Sequence, residues 1–206
     1  ARLGAGVMQP RAVEMGLRYG VPIHVRSTFT SDQGTIIRED YTMEHNKRVI
    51  TGVADDKNAA KVSLIGVENK PGVAAKVFKA LAAHNVDVDM IVQSIRSNND
   101  AKTDIVFTVM NDDVPQAKEI IDEIHKEINI DDINIDEDVA KVSVVGAGML
   151  GQPGVAAQMF DILGQEGINV EIISTSEISI TCLVKEERVK DAVKAIHEKL
   201  FFAERG

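Results

Sequence analysis

The sequence predicts an α+β protein made of two copies of one small module, each with an antiparallel sheet and two helices. An internal repeat carries this prediction. The hexapeptide Lys-Val-Ser-Leu-Ile-Gly at 61–66 returns as Lys-Val-Ser-Val-Val-Gly at 141–146, and Pro-Gly-Val-Ala-Ala occurs at both 71–75 and 153–157. One chance pentapeptide match in this length is an event of a few per cent. Two matches in step therefore indicate a duplication.

The elements of the first copy follow from the spacing of its apolar residues. The run 62–67 predicts a strand, and Pro-Gly then opens a helix with Val73, Val77 and Leu81 on one face. Alternation with period two predicts two further strands, one through Val86, Val88, Met90 and Val92 and one through Ile105, Phe107 and Val109. Helical spacing follows at Val114, Ala117, Ile121, Ile124 and Ile128. A strand near 131–138 closes the copy.

The second copy repeats this order. A strand at 142–147 precedes a helix that carries Val155, Met159 and Leu163. Two more strands are predicted through Ile168, Val170 and Ile172 and through Ile178, Ile180, Cys182 and Val184. The last helix carries Val189, Ala192, Val193, Ile196 and Leu200. Because short links imply hairpins, the βαββα order predicts the ferredoxin-like plan, an antiparallel sheet with both helices on one face.

The second copy lacks its closing strand, and a spare strand-like segment precedes the first copy. We expect the segment 49–55 to cross over and complete the second sheet, which interleaves the two modules. The predicted organisation is a first unit at 1–48, the crossing strand at 49–55, module 1 at 61–138 and module 2 at 140–206. In the first unit, a helix at 11–19, a strand at 23–26 and a turn at 32–34 are too little for a domain. This unit is interpreted as the end of another fold.

Composition excludes several classes of function. The chain has 206 residues and a net charge of −9, which argues against nucleic acid as a partner. A single cysteine excludes an internal disulfide framework and fits a reducing, cytoplasmic environment. No apolar run reaches the roughly 20 residues of a membrane span, so no membrane partner is expected.

The acidic residues are concentrated in one stretch. Residues 111–138 hold eleven acidic residues against two lysines. We interpret this run as a solvated helix face with its following turn. A calcium-binding loop needs a central glycine, and no glycine lies in this stretch, so we reject that alternative.

The motif search yields no catalytic residue, no metal site and no cofactor site. Gly-Ala-Gly-Met-Leu-Gly at 146–151, with Glu171 further along, matches the dinucleotide fingerprint. The strand carrying Glu171 leads into a hairpin, however, and not into the parallel crossover that a nucleotide fold needs. No phosphate-binding loop occurs, and the five histidines are isolated from one another.

The repeated Pro-Gly helix start is the remaining candidate feature. A helix N-terminus has free N–H groups and a partial positive charge, so it can hold a carboxylate. Polar residues alternate with the apolar ones on the following strand, namely Asp87, Asp89 and Gln93 in the first copy and Asn169, Glu171, Ser174 and Ser176 in the second. Together these groups could recognise a free amino acid. The alternative is that Pro-Gly only starts a helix.

Several segments of the chain resemble the aspartate kinase (aspartokinase) family. Gly-x-x-x-x-Pro-Gly in each copy, and Ile-Asn-Val-Glu-Ile-Ile-Ser-Thr-Ser-Glu at 168–177, resemble the paired ACT domains of that family. The segments 3–14 and 21–29 look like the last part of its α/β kinase domain. The segment 49–55 looks like its Val-Ile-Thr-Gly-Val-Ala strand. The resemblance covers essentially the whole chain.

The resemblance implies a regulatory function. The family phosphorylates aspartate with ATP on the route to lysine, threonine and methionine, and its ACT pair binds end-product amino acids as feedback inhibitors. The Lys-Tyr-Gly-Gly motif and the nucleotide loops of its kinase domain are absent from this chain. We therefore expect a regulatory part that is inactive alone, takes threonine or lysine as effector, and leaves ATP to the kinase domain. The implied partners are a second copy, forming a homodimer through the ACT modules, and the catalytic kinase domain or subunit. The alternative is a dimerisation module that ignores amino acids.

The resemblance also implies two effector pockets. The first would use Asn69, Lys70, Pro71, Gly72, Ala74, Asp87, Val88, Asp89 and Gln93. The second would use Val155, Ala156, Asn169, Val170, Ser176 and Glu177. Asn69 stands where some relatives have Asp, and Asp87 where many have Asn. This exchange either keeps one carboxylate in the pocket or changes which amino acid fits.

Overall fold

The computed structural model describes residues 7–38, 49–95, 101–146, 149 and 154–202. Its helices and strands, in chain order, are α1 (Pro10–Arg18), β1 (Ile23–Val25), β2 (Thr35–Ile37), β3 (Gly52–Glu68), α2 (Val73–Ala83), β4 (Ile91–Ile95), β5 (Lys102–Val109), α3 (Val114–His125), β6 (Asp132–Val145), α4 (Val155–Gln165), β7 (Ile172–Thr175), β8 (Ser179–Lys185) and α5 (Val189–Phe202). Short 3-10 turns at Asn111–Asp113 and Glu186–Arg188 lead into α3 and α5.

A single antiparallel sheet with the strand order β4-β5-β3-β6-β8-β7 forms the centre of the molecule. The two long strands β3 and β6 lie side by side in the middle and are shared. The second half of β3 pairs with β5 and with the first half of β6, as in Val62 opposite Phe107 and Ile135. The first half of β3 pairs with the second half of β6, from Gly52 opposite Val145 to Asp56 opposite Lys141. The segment expected to cross over therefore does pair with module 2.

Each long strand was expected as two separate strands in two sheets, and this expectation is wrong. The segments 49–55 and 62–67 belong to the one strand β3, and the segments near 131–138 and 142–147 belong to β6. The β3–β6 register shifts between Asp56 and Ala59, where polar residues interrupt the apolar pattern. At this point Asp56 Oδ1 accepts the Asn58 N–H at 2.9 Å, and Asp136 Oδ1 accepts the Asp138 N–H at 3.1 Å. A bulge lets a strand continue through such an irregularity.

Two hydrophobic cores lie between the helices and the sheet. The first joins α2 and α3 to β3 and β5, and the rings of Phe78 and Phe107 meet there edge to face at 5.5 Å. The second joins α4 and α5 to β6 and β8 and contains Met159, Leu163 and Cys182. The predicted helical faces are confirmed. Burial raises the pKa of the Cys182 thiol to about 12, so this residue is an inert part of the core.

A third, smaller apolar cluster joins the two modules. It consists of Met90, Val139, Ile172 and Leu183, with Val106 packed against it. Val139 and Leu183 are adjacent to the core residues Ala140 and Cys182, so their side chains point to the face without helices. We call these residues the inter-module cluster. Module 1 denotes the second half of β3, α2, β4, β5, α3 and the first half of β6, and module 2 denotes the remainder of the sheet with α4 and α5.

The second strand of each copy begins later than predicted. The alternating residues from Val86 and Ile168 predict strands, but β4 starts at Ile91 and β7 at Ile172. The segments 86–90 and 168–171 make only occasional ladder bonds, such as the Asp89 N–H to the Thr108 carbonyl at 3.1 Å. An alternating pattern shows which side chains are buried and does not by itself show a strand. In the segments 86–90 and 168–171, the apolar side chains are buried in the two cores and the inter-module cluster, although the backbone is not continuously paired with a neighbouring strand.

Residues 7–38 form α1 and the antiparallel pair of β1 and β2, close to the expected helix and strand. Many of their apolar side chains are exposed: Val7, Met15, Leu17, Tyr19, Val21, Phe29 and Ile36. In the described ranges, no helix is long and apolar enough to cross a membrane.

Candidate functional site

The N-terminus of α2 is open to solvent and carries no side-chain cap. Gly72 precedes it with φ of 93°, a left-handed conformation that glycine adopts without strain. A Cβ at Gly72 would meet no atom within 4 Å, so the space beside this backbone is free. The equivalent Gly154 precedes α4 with φ of 109° and again with no side-chain cap. Because first-turn N–H groups lack acceptors within the helix, both ends can receive an anion.

A cleft of about 360 Å³ lies beside the N-terminus of α2. It is lined by Glu68, Asn69, Lys70, Pro71, Gly72, Val73, Ala74, Gln93, Thr103 and Ile105. The structure thus brings together Gln93 and the five candidate residues of the loop and first turn. Thr103 and Ile105 were not predicted as pocket residues, and Ile105 was predicted only as a member of its strand. In the β4–β5 pair, Thr103 lies opposite Ile95 and Ile105 lies opposite Gln93. The length of the segment between the two strands does not predict this register.

Hydrogen bonds from β5 and its preceding turn hold the loop that forms one wall of the cleft. The Gly66 N–H donates to Asp104 Oδ1 at 2.8 Å, and the Asn69 N–H donates to the Ala101 carbonyl at 2.8 Å. Gly66 has φ of 67°, and a Cβ there would collide with Asp131. Glu68 and Lys70 form an exposed ion pair at 3.0 Å at the rim. The loop therefore has a defined shape before any ligand binds.

Three predicted members of the first pocket lie outside the residues lining this cleft. The side chain of Val88 packs half-buried against the first core. Asp87 is exposed, and Asp89 forms an ion pair with Lys141 at 2.7 Å. They belong to the segment 86–90 that leads into β4, and of the predicted residues in these two segments only Gln93 lines the cleft.

The second predicted pocket is only partly described. The loop residues 147, 148 and 150–153 lie outside the described residues. Val155 is buried at the start of α4, and Ala156 packs half-buried against the second core. Asn169 is exposed, and Val170 packs half-buried against that core.

The last two candidates of the second pocket lie at the turn between β7 and β8. Ser176 Oγ contacts Ser179 Oγ at 2.8 Å and accepts the Ser179 N–H at 3.1 Å. Glu177 is exposed in the same turn. The Ser176 hydroxyl thus holds the hairpin in shape.

Comparison with known proteins decides the family. Two models described as "ACT domain" match residues 62–129 and 142–200. The aspartokinase of Mycolicibacterium smegmatis is 44% identical over 201 residues, which cover 96% of this chain and 47% of that protein. A crystal structure of aspartokinase alpha and beta subunits matches at 43% identity and a TM-score of 0.69. The match covers 74% of this chain and 98% of the matched chain in that structure. The chain belongs to the aspartokinase family.

The proteins that this chain resembles include separate regulatory subunits. The ligand-free regulatory subunit of aspartate kinase from Thermus thermophilus matches at 38% identity and a TM-score of 0.69, over 98% of that subunit and 73% of this chain. This chain spans about half the length of the curated aspartokinases it matches. The chain is therefore similar to the regulatory ACT region of the family.

A network of charges lies where the two ACT modules of this chain meet. Lys185 Nζ donates to Asp136 Oδ2 at 2.6 Å and lies 3.4 Å from Glu171 Oε1. Lys61 forms an ion pair with Glu171 and lies 3.6 Å from Asp136 Oδ2. The hydrogen bond from Lys185 outweighs partial burial and lowers the pKa of Asp136, and the same bond raises the pKa of Lys185.

This network corrects the interpretation of the acidic stretch. Glu119, Asp122 and Glu123 on α3 are exposed, as expected of a solvated helix face. Asp136 is only 18% exposed and is bound by two lysines, and Asp131 is ion-paired with Lys102. The sequence could not show these pairings, because the lysines lie far away along the chain. Within the described part of the molecule, no group of acids, histidines and Cys182 could hold a metal ion.

Proposed function

We propose that this chain is the allosteric regulatory part of an aspartokinase. It binds an end-product amino acid, lysine or threonine, and so reduces the ATP-dependent phosphorylation of aspartate by a catalytic kinase domain or subunit in the cytoplasm. The observation that carries the proposal is the uncapped N-terminus of α2 beside an open cleft, in a chain of this family. Feedback inhibition then requires that the amino acid bind two states of the enzyme with different affinity.

The cleft offers complementary groups for both ends of an amino acid. The α-carboxylate would lie at the first-turn N–H groups of α2, where the helix dipole favours negative charge. The ammonium group would lie towards Glu68 and the carbonyl oxygens of the loop. Gln93, on the opposite wall, would contact the side chain of the ligand. A cleft of about 360 Å³ is large enough for one amino acid.

The second module supports a second site by the same argument. Gly154 repeats the left-handed conformation of Gly72, and α4 starts without a side-chain cap. The exposed Asn169 lies on the segment equivalent to 86–90. We propose that this N-terminus is the anion-binding end of the second site.

Residues 7–38 provide a contact surface for the kinase partner. Phe29 is 96% exposed, and Leu17, Tyr19 and Val21 are more than half exposed. Large apolar side chains exposed in one segment of a chain are typical of a surface that another part of the protein covers. We propose that the catalytic kinase domain covers it.

Calorimetry with lysine, threonine and methionine on the purified chain tests the function. We expect heat and a measurable dissociation constant with at least one of them. Gln93→Ala removes one polar contact and should weaken binding at the first site by roughly tenfold. Gln116→Ala is the matched control, because Gln116 is exposed on α3 and does not line the cleft. Absence of binding by all three amino acids would contradict the proposal.

A second candidate function is a dimerisation module that does not respond to amino acids. Both edge strands of the sheet expose apolar side chains, Ile91 and Val92 on β4 and Ile173 on β7. Such edges favour pairing between copies, and this is the contact by which we propose that the chain forms a homodimer. Sedimentation equilibrium of Ile91→Asp and Ile173→Asp variants tests this contact. A dimer that binds none of the three amino acids would favour this second candidate.

A further inference from the structure

The first half of β6 has one edge that no neighbouring strand covers within the described part of the chain. On its other edge it pairs with β3, from Asp132 opposite Ile65 to Asp136 opposite Lys61. The strand β8 pairs only with the second half of β6, from Val139 onwards. An uncovered strand edge presents backbone N–H and C=O groups, and an extended segment of another chain can pair with them.

A groove lies between this strand and the helix α3. Its volume is about 380 Å³, and it is lined by Val114, Lys118, Asp122, Ile133, Ile135 and Glu137. Ile133 and Ile135 pack against the first core on the helix side of the sheet, but they remain only half-buried. The side chains of Lys118, Asp122 and Glu137 are exposed. The groove therefore combines an apolar strip on the strand with charged groups around it.

The equivalent place in module 2 carries an apolar side chain instead. Val193 of α5 stands where α3 has Lys118, because each lies four residues after the valine that begins its helix. Val193 packs against the second core together with Val53, and Val53 is the equivalent of Ile133. In module 2 the helix thus contributes a valine beside the strand. In module 1 the lysine points to solvent, and the isoleucines keep an uncovered part.

The charges around the groove favour one kind of occupant. The stretch 111–138 carries a net charge of −9, which equals that of the whole chain. Asp132 and Asp138 on the strand are exposed, as are Asp122 and Glu137 at the groove. A second copy paired along this edge would bring the same acids together, and like charges on facing strands are destabilising. A basic segment is attracted to the same surface.

We propose that the first half of β6 and α3 form a docking surface for an extended, basic segment of a partner protein, in which apolar residues alternate with lysine or arginine. The segment adds a strand beside β6. Because side chains alternate between the two faces of a sheet, its apolar residues lie beside Ile133 and Ile135 and its basic residues beside Asp132. Asp122 attracts basic residues that flank the groove.

This docking surface is separate from the proposed amino-acid site. The groove shares no lining residue with the cleft at the N-terminus of α2. The inference therefore goes beyond the proposed function, and binding at the groove is measured without any amino acid present.

The test measures binding of a short synthetic peptide to the 206-residue chain by fluorescence anisotropy. The probe alternates lysine and valine and is blocked at both ends. We expect saturable binding that weakens as salt is added. A peptide of the same composition, with its lysines and valines in two separate blocks, should bind roughly tenfold more weakly, because it cannot place its valines along one face. A peptide that alternates glutamate and valine should not bind.

Two charge reversals on the surface locate the contact. Asp132→Lys and Asp122→Lys should each weaken binding of the lysine–valine peptide by roughly tenfold. Glu198→Lys is the matched control, because it makes the same change of charge at an exposed position on α5, away from the groove. It should leave the dissociation constant within about twofold of that of the unmodified chain.

Hydrogen exchange of the unmodified chain provides a readout that needs no variant. On addition of the lysine–valine peptide, the amides of residues 132–137 should exchange more slowly, because the added strand pairs with this edge. The amides of residues 141–145 should not change, because this half of β6 already pairs with β3 and β8.

Several results would overturn the proposal. Absence of binding, or equal binding of the alternating and the block peptide, would show that the edge accepts no added strand. Unchanged exchange at residues 132–137 in the presence of bound peptide would show the same. Slow exchange at these residues that depends on protein concentration, without any peptide, would show that a second copy covers the edge.

Discussion

Asp136 is a single residue on which the contact between the modules depends. Its carboxylate receives Lys185 at 2.6 Å, accepts the Asp138 N–H at 3.1 Å and lies 3.6 Å from Lys61. These contacts favour the charged form, so the pKa lies below its ordinary value of 3.8. A lowered carboxyl pKa stabilises the fold fully above the ordinary value, and the contribution is lost as the pH falls through the folded-state value.

We therefore predict that Asp136→Asn destabilises the protein near neutral pH. A hydrogen bond to a charged group contributes roughly 1.5–3 kcal/mol, and the loss should fall within that range. The difference from the unmodified chain should shrink below about pH 4, where the carboxylate of the unmodified chain becomes protonated. Urea unfolding followed by circular dichroism between pH 3 and 7 measures both effects.

The matched control for this prediction is Asp122→Asn, a neutralisation on the exposed face of α3. It should change the free energy of unfolding by less than about 0.5 kcal/mol at any of these pH values. An Asp136→Asn variant as stable as this control at pH 7 would show that the network stabilises nothing.

Individual site residues could be predicted from the sequence where local geometry defines them. Gly72 and Gln93 follow from the Pro-Gly helix start and the alternating strand after it, and the structure places both at the cleft. Thr103 also lines the cleft but was missed, because its place depends on the register of the β4–β5 pair. The partners of Asp136 were missed for a related reason, since they lie on β3 and β8, far from it in sequence.

The helices show how closely the two copies correspond as elements. Leu81 in α2 and Leu163 in α4 occupy equivalent positions, and both are fully buried, each in the core of its own module. Removing three carbon atoms from such a site leaves a cavity. Replacing a buried leucine by alanine costs about 2–5 kcal/mol.

We predict that Leu81→Ala and Leu163→Ala each lower the free energy of unfolding by about this amount. Leu17→Ala in α1, where the side chain is 57% exposed, is the control and should have little effect. Urea denaturation measures all three. If one of the buried variants matched the control, the corresponding helix would not be packed as described.

Helices were easier to predict than strands in this molecule. The apolar faces of α2 to α5 repeat every three to four residues within one element, and each of these four helices buries that face on the sheet. The long strands β3 and β6 were misread as pairs, because Asp55–Asn58 and Asp136–Asp138 interrupt the alternation at the register shift. A sequence pattern ends at these residues, whereas the hydrogen-bonded strand continues through them.

On the scale of the whole molecule, β3 and β6 are shared between the modules, so a continuous fragment limited to one module can contain all strands of module 1 but not all strands of module 2. Residues 61–138 include every strand and helix of module 1 in one continuous segment. Residues 140–206 lack the first half of β3, so β6 would present an open edge beside Val142 and Val144. Open edges of buried strands are unfavourable and promote aggregation.

We predict that the fragment 61–138 folds alone and that the fragment 140–206 does not. Module 1 alone loses the ion pair of Lys61 with Glu171 and should be less stable than it is in the full chain. Joining residues 49–60 through a short Gly/Ser linker to the end of the second fragment supplies its missing strand and should restore folding. Far-UV circular dichroism and cooperative urea unfolding measure these outcomes. A folded 140–206 fragment would contradict the importance of the shared strand.

The pairing of the start of β3 with the end of β6 can form only after the ribosome has synthesised residue 145. The Thr51 N–H and hydroxyl both donate to the Val145 carbonyl, 94 residues further along. At roughly 5–20 residues per second, the ribosome needs about 5–20 seconds to produce that partner. During this interval module 1 can already fold, while the start of β3 waits unpaired beside it. The nascent chain therefore carries a temporary open strand, and the speed of translation through residues 61–145 decides how long it stays exposed.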